Sequence, residues 1–255
     1  MLIKRIAILL LLIIPSLALA DKGFLSEKQI QALHIEYLIP MAPTFGSEQD
    51  QSDVAIFWGM RDVLKSPRGL QAAQDDVYVP AEVVTRFAPA AGLPKDLPPE
   101  QIPHLLNLME QMQADAEKLV KPVKRKVSAG GKIRPFVRFS GSPTCLEPVD
   151  LVKGHKDLDY HYGLKESGSY PSTHALIGIL WGALLGDLLP EQRFAVMERG
   201  IDFGESRVVC GFHYRSDVAS GRVLARALYE KEKTSTAFKK ELALARQELK
   251  TLGLK

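Results

Sequence analysis

Apolar residues recur at three- and four-residue steps along most of this chain, and the alternation expected of strands is nearly absent. "SDVAIFWGMRDVLK" at 52–65 reads as an amphipathic helix. Ser66 then has the character of an N-cap, with Pro67 at the first position of the next helix. Between residues 99 and 120, Leu105, Leu106, Met109, Met112, Ala116 and Leu119 form one stripe facing a core. "ALIGILWGALLGDLL" at 175–189 is apolar on every side and, because it carries Asp187, reads as a buried core helix rather than a membrane span. Helices over 190–209 and 216–233, divided by Gly211, and an amphipathic last helix from Ser235 to Leu252, stopped by Gly253, complete the series. Irregular stretches fall at 40–47, 89–99 and 139–170, the last long enough to suggest a functional loop. The pattern predicts an all-α protein, a single globular helical domain over residues 21–255 built on a core helix bundle.

Residues 1–20 stand apart from that domain. Lys4 and Arg5 precede an apolar run from Ile6 to Ile14, and Ala18-Leu19-Ala20 has the small residues of a cleavage site. A retained anchor is the competing reading. The apolar run is shorter than the ~20 residues a spanning helix needs, so an export signal is expected, giving a periplasmic or secreted protein. Its removal takes two positive charges from the formal +3 of the 255-residue chain and leaves +1. That near-neutral balance excludes the clustered basic face of a nucleic-acid binder. Cys145 and Cys210 would meet an oxidising compartment; a bridge and two buried thiols both remain open.

Against this background, "GESRVVCGFHYRSD" at 204–217 is unusual. It places Arg207, His213 and Asp217, all costly to bury, in a half-apolar run. One bound anion would account for the arginine and the histidine together, and an aspartate four positions beyond a histidine can set its tautomer. Two other stretches carry anion-handling groups. In "GGKIRPF" (130–136) Pro135 fixes the exit direction of Arg134. In "SYPSTHA" (169–175) Ser172 is an N-cap candidate, and the free amides of the helix start beside Thr173 and His174 suit an anion.

Together these stretches resemble the phosphatase signature of the type 2 phosphatidic acid phosphatase superfamily, K-x6-R-P, P-S-G-H and S-R-x5-H-x3-D. The third motif is complete as Ser206, Arg207, His213 and Asp217; the second is Pro171-Ser172-Thr173-His174; the first ends in Arg134-Pro135. "SGSYPSTHA", "GESRVVCGFHYRSDV" and "RGLQAAQDD" at 68–76 look like the class A bacterial nonspecific acid phosphatases, and the resemblance runs from about Tyr37 to the C-terminus. Three departures stand out. Strict spacing puts the motif lysine at Val127, with Lys126 and Lys124 nearby as substitutes; Lys126 needs the smaller insertion. Thr173 replaces the usual glycine. The 139–170 loop is longer than usual and contains "HKDLDYHYG", whose His155, Asp157, Asp159 and His161 match no compact metal motif and read as a solvated lid.

The resemblance implies a metal-independent, cofactor-free acid phosphatase acting on small-molecule phosphomonoesters, with its site at helix termini and loops. His213 would be the nucleophile that forms a phosphohistidine, Asp217 its orienting partner and His174 the general acid. Arg134, Arg207, Ser172, Thr173, Ser206 and Lys126 would bind the phosphate. It also implies a homo-oligomer and leaves phosphate transfer to alcohols open; no nucleic-acid partner is expected from the near-neutral charge, and no membrane partner once the signal is cleaved. A vanadium-dependent haloperoxidase and a catalytically impaired phosphate-binding module are the rival readings.

Overall fold

The computed structural model describes residues 22–145 and 164–254. The expected signal at 1–20 and the "HKDLDYHYG" segment at 155–163 lie outside the described residues. Among those described there is no β-strand, and one isolated bridge joins Lys126 to Ser167. The described residues include eleven complete α-helices: α1 (Glu27–Gln31), α2 (Ile35–Leu38), α3 (Glu48–Gly59), α4 (Pro67–Gln74), α5 (Pro80–Ala91), α6 (Pro103–Val120), α7 (Pro135–Arg138), α8 (Thr173–Leu188), α9 (Arg193–Val209), α10 (Arg215–Glu232) and α11 (Thr236–Thr251). None of the described helices is long and apolar enough to cross a membrane.

Local chemistry explains most of these boundaries. The Ser66 hydroxyl accepts from the amides of Arg68 and Gly69, with Pro67 in the first turn of α4. Ser235 caps α11 by accepting from the Phe238 amide. Two expectations need correction. The helix expected over 52–65 starts earlier, at Glu48 under a Ser47 cap, and stops at Gly59; a separate 3-10 turn covers Asp62–Lys65. The irregular stretch expected from 89 begins later, because α5 runs through Pro89 and ends at Gly92 in the left-handed conformation, φ 66°. Proline there forfeits one bond in the last turn, a smaller loss than in a helix middle.

Helix α8 is the axis of the core. Leu176, Ile177, Leu180, Trp181, Leu184 and Leu185 are all fully buried, as an all-round apolar helix should be. Its most extensive partner is α9, followed by α10. The α8–α9 approach depends on paired glycines: a Cβ on Gly178 would sit 2.6 Å from the Gly200 carbonyl oxygen, and one on Gly200 would sit 2.3 Å from that of Gly178. Gly221 plays the same part on α10, where a Cβ would come within 2.3 Å of the Ser172 carbonyl oxygen. These contacts bring the start of α8, the end of α9 and the start of α10 to one end of the domain. Phe203, Phe87, Leu105, Leu108, Met109 and Met112 fill the space around Trp181, whose Nε1 donates to the Met109 carbonyl at 3.2 Å. Leu106, expected in the core stripe, is half-buried, and Leu108 takes the buried place.

Candidate active site

At the start of α8 the Ser172 hydroxyl accepts from the Ala175 amide at 3.2 Å, and the Ser172 amide donates to the Asp217 carbonyl at 3.0 Å. The first bond is the expected cap; the second locks α8 to α10. His174, in the first turn, is buried, with its ring stacked on Phe203 at 4.2 Å and the Tyr78 ring edge-on at 5.4 Å. Its Nε2 is buried with no hydrogen-bond partner among the described residues. Burial pushes this imidazole well below the ordinary histidine range; the charges of Arg207 and His213 push the same way, and a bond to the Asp75 backbone opposes them.

The end of α9 supplies Arg207, buried to 2 % exposure, its Nη1 ion-paired with Asp76 and its guanidinium 4.6 Å from the Phe212 ring centroid. The chain then turns through Gly211 at φ 78°, where a Cβ would lie 2.7 Å from Arg61 Nη1. The amides of Phe212 and His213 both return to the Arg207 carbonyl, at 3.0 and 3.2 Å. This tight turn sets His213 inward.

The two ring nitrogens of His213 face different partners. Nδ1 lies 3.4 Å from Asp217 Oδ2, and Nε2 lies 3.0 Å from Arg134 Nη1. A guanidinium can only donate, so Nε2 is the acceptor and the ring proton belongs on Nδ1, toward the carboxylate. Burial drives His213 well below its ordinary pKa, and Arg134, Lys124 and Arg207 add to that; the Ser169 backbone opposes it. Asp217 Oδ2 is fixed by the Tyr214 amide at 2.8 Å, as a third-residue acid at a helix start can be.

Arg134, 2 % exposed, is oriented by backbone carbonyls: Nε donates to Leu164 and Ser167 at 3.0 Å each, and Nη1 to Phe212 at 3.0 Å. The lysine that reaches the start of α8 is Lys124. Its Nζ donates to the Pro171 carbonyl at 2.9 Å and to Thr173 Oγ1 at 3.2 Å. Burial first, then Arg134, lowers its pKa well below the lysine range; Asp217 opposes and Arg207 adds. Lys126, the expected substitute, is exposed and instead begins a 3-10 turn over Val127–Ala129. That turn, with Gly130 at φ 80° and Gly131 returning its amide to the Lys126 carbonyl, takes up the chain length that separates Lys124 from Arg134. The hydroxyl of Ser206, expected to bind phosphate, donates to Asp75 Oδ2 at 2.6 Å and accepts from Arg68 Nη1 at 3.0 Å.

The stretch from 126 to 229, which contains nearly all of these groups, matches the PAP2 superfamily. Over 226 residues the chain is 32% identical to a non-specific acid phosphatase of Providencia stuartii, covering 88% of this chain and 84% of that one. It is 34% identical over 214 residues to an acid phosphatase of Zymomonas mobilis, covering 84% and 74%. A non-specific acid phosphatase of Salmonella typhimurium is 29% identical over 219 residues, covering 86% and 81%. The chain belongs to the PAP2 superfamily, among its acid phosphatases.

Within this PAP2 acid phosphatase, half-buried Lys124 and buried Arg134 and Arg207 gather positive charge around the two imidazoles: Arg134 and Arg207 lower the pKa of Lys124, Arg207 lowers that of His174, and all three lower that of His213. Like charges gathered in this way repel one another, and a multiply charged oxyanion among them would relieve that repulsion. No group of three or more His, Cys, Asp or Glu among the described residues could hold a metal ion. Several supports were missed from sequence. Asp75 pairs with Arg199, Asp76 with Arg207, and Lys132 with both Asp53 and Asp217. The adjacent acids of "RGLQAAQDD" and the lysine of "GGKIRPF" were the available signals. Cys145 and Cys210 are joined, which ties residue 145 to the end of α9 just before the His213 turn.

Proposed function

We propose that this PAP2-superfamily acid phosphatase hydrolyses small-molecule phosphomonoesters through a phosphohistidine at His213. The observation that carries the reading is the hydrogen-bond pattern of His213, whose Nε2 lone pair faces Arg134 while Nδ1 faces Asp217. An entering phosphate takes over the Arg134 donor, with Arg207 and Lys124 on its other oxygens, and leaves the Nε2 lone pair free to attack. The Nε2–P bond forms as the ester P–O bond breaks, and Asp217 balances the positive charge that develops on the ring. His174 Nε2 carries the proton to the departing alkoxide. In the second half it takes a proton from the water that attacks phosphorus, and His213 leaves with its electron pair. Arginine suits the cradle because its planar fork spans two phosphate oxygens and stays charged. Ser172 and the amides near Thr173 complete it; Ser206 and Lys126 have no direct role.

Burial and the charge of Arg207 disfavour the imidazolium of His174, so its acid form is populated in acid and is favoured further by the charge of a bound phosphate dianion. Activity therefore falls as pH rises. The test is a pH–rate profile on a chromogenic phosphomonoester with chelator present, run beside His213→Ala. Acid-side activity that chelator leaves intact, lost at least ~10³-fold in the folded variant, is expected. A rate still climbing at alkaline pH, or a requirement for a divalent ion, overturns the roles. The reading includes export and assembly as a homo-oligomer. The Cys145–Cys210 bridge supports an oxidising compartment, and a mature N-terminus at Asp21 would test the cleavage.

A further inference from the structure

Lys132 belongs to none of the three motifs, yet its ammonium is among the most fully committed groups in the domain. Its Nζ donates to Asp53 Oδ2 at 2.9 Å, to the Ser216 hydroxyl at 2.9 Å and to Asp217 Oδ1 at 3.0 Å, and it lies 4.2 Å from the Tyr214 ring centroid. An ammonium has three protons, so none is left for a substrate. Asp53 is fully buried on α3, and its Oδ1 accepts from the Ser216 amide at 2.9 Å. The brace thus joins α3, the stretch before α7 and the first turn of α10.

The carboxylate of Asp217 is divided between two tasks. Oδ1 belongs to Lys132, while Oδ2 serves the Tyr214 amide and faces His213 Nδ1. We propose that Lys132, braced by Asp53, is a positioning residue that holds the Asp217 carboxylate aimed at His213. It thereby holds the tautomer that leaves Nε2 unprotonated. The inference rests on the reading of His213 as nucleophile. Two carboxylates with one cation leave one negative charge, which matches the positive ring formed when Nε2 bonds to phosphorus. Without the cation, two buried acids would face each other and one would take up a proton. Either Asp217 then loses its grip on Nδ1, or His213 is protonated at Nε2; both remove the nucleophile. The charge of Asp217 is also felt by Lys124, Tyr170 and Tyr214, with the Arg138–Asp50 pair beyond the Tyr214 ring. Lys132 lies within hydrogen-bond distance of both Asp53 and Asp217.

The experiment compares Lys132→Met, Asp53→Asn and the double variant in the full-length enzyme. Lys132→Met is expected to lose ~10–100-fold in kcat, the usual range for groups that orient a ligand from behind. Its acid limb should move to higher pH, with inorganic phosphate binding kept within about threefold because Lys132 touches no phosphate. The double variant should recover part of the loss, since removing Asp53's charge takes away the unbalanced acid. Imidazole NMR should show the His213 proton on Nδ1 in the wild type and redistributed in Lys132→Met. That last readout does not depend on turnover: an active His213→Ala variant would sink the nucleophile, while an unchanged His213 tautomer in Lys132→Met would sink the brace alone. If Lys132→Met does not fold, the double variant decides, and kcat and pH profile equal to wild type there would support charge balance. A folded Lys132→Met with wild-type kcat and profile, or a double variant no better than the single, overturns the proposal.

Discussion

Replacing Lys124 by methionine separates the two lysines that spacing alone left in competition. In the folded protein Lys124 Nζ sits against the Pro171 carbonyl and Thr173 Oγ1, at the mouth of the α8 N-terminus, whereas Lys126 is exposed. Loss of one fixed donor to a developing phosphoryl charge costs roughly 10²–10³ in rate, or ~2.7–4 kcal/mol. Lys124→Met should therefore lose that factor in kcat/KM on a chromogenic phosphomonoester at acid pH. Lys126→Met, whose charge is screened by water, should stay within about twofold of wild type. Thermal shift gives a second measure. Phosphate at about 100 times its dissociation constant stabilises by ~2.7 kcal/mol, and each kcal/mol moves Tm by roughly 2–4 °C in a domain of this size. Lys124→Met at that same phosphate concentration should retain less than about half of the shift, because a tenfold weaker affinity removes ~1.4 kcal/mol. Equal losses in the two variants, or a Lys124→Met enzyme with more than about a third of wild-type kcat/KM, would refute the assignment and the field argument behind it.

Three further outcomes follow from the packing. Glu232 is fully buried, neither carboxylate oxygen has a hydrogen-bond partner among the described residues, and burial with the nearby charge of Asp115 raises its pKa well above the usual range. A raised carboxyl costs stability increasingly as pH climbs above its unfolded value, so Glu232→Gln should raise Tm at pH 7 and change it little near pH 4, by calorimetry. Gly178→Ala drives a methyl to 2.6 Å from the Gly200 carbonyl oxygen, and should cost about 1–3 kcal/mol in denaturant melts while lowering activity through the displaced α8 start. Cys145→Ser removes a bridge across a separation of 65 residues, and should lower stability by up to ~4 kcal/mol. A bridge-free protein with unchanged melting would contradict that.

Much of the fold was legible because burial writes itself into periodicity. The all-round apolar run that became α8 and the stripe that became α6 needed no other signal. Helix α5 was partly obscured since Pro89 reads as a breaker, and its position in the last turn is what makes it tolerable. The proposed site was legible for a chemical reason: in the reading advanced above, holding an oxyanion calls for Arg134, His174, Arg207, His213 and Asp217 in fixed local patterns. What escaped was whatever depends on pairing across the chain. The 3-10 turn at Val127–Ala129 and the Gly130–Gly131 bend change how far Lys124 reaches, and spacing does not reveal such a turn. The contact of Ser206 with Asp75 was not visible because the two are 131 residues apart. Lys132 and Asp53, 79 residues apart, have no local signature at all. The Cys145–Cys210 pair was undecided for the same reason.

The most direct test is rapid alkaline quenching of turnover on a phosphomonoester labelled at phosphorus. A phosphorus–nitrogen bond to imidazole survives base and breaks in acid. The account predicts label on the protein that is base-stable and acid-labile, localised to the peptide containing residue 213 and absent from His213→Ala. A fully active wild type that never carries such label, or label on another residue, would contradict it.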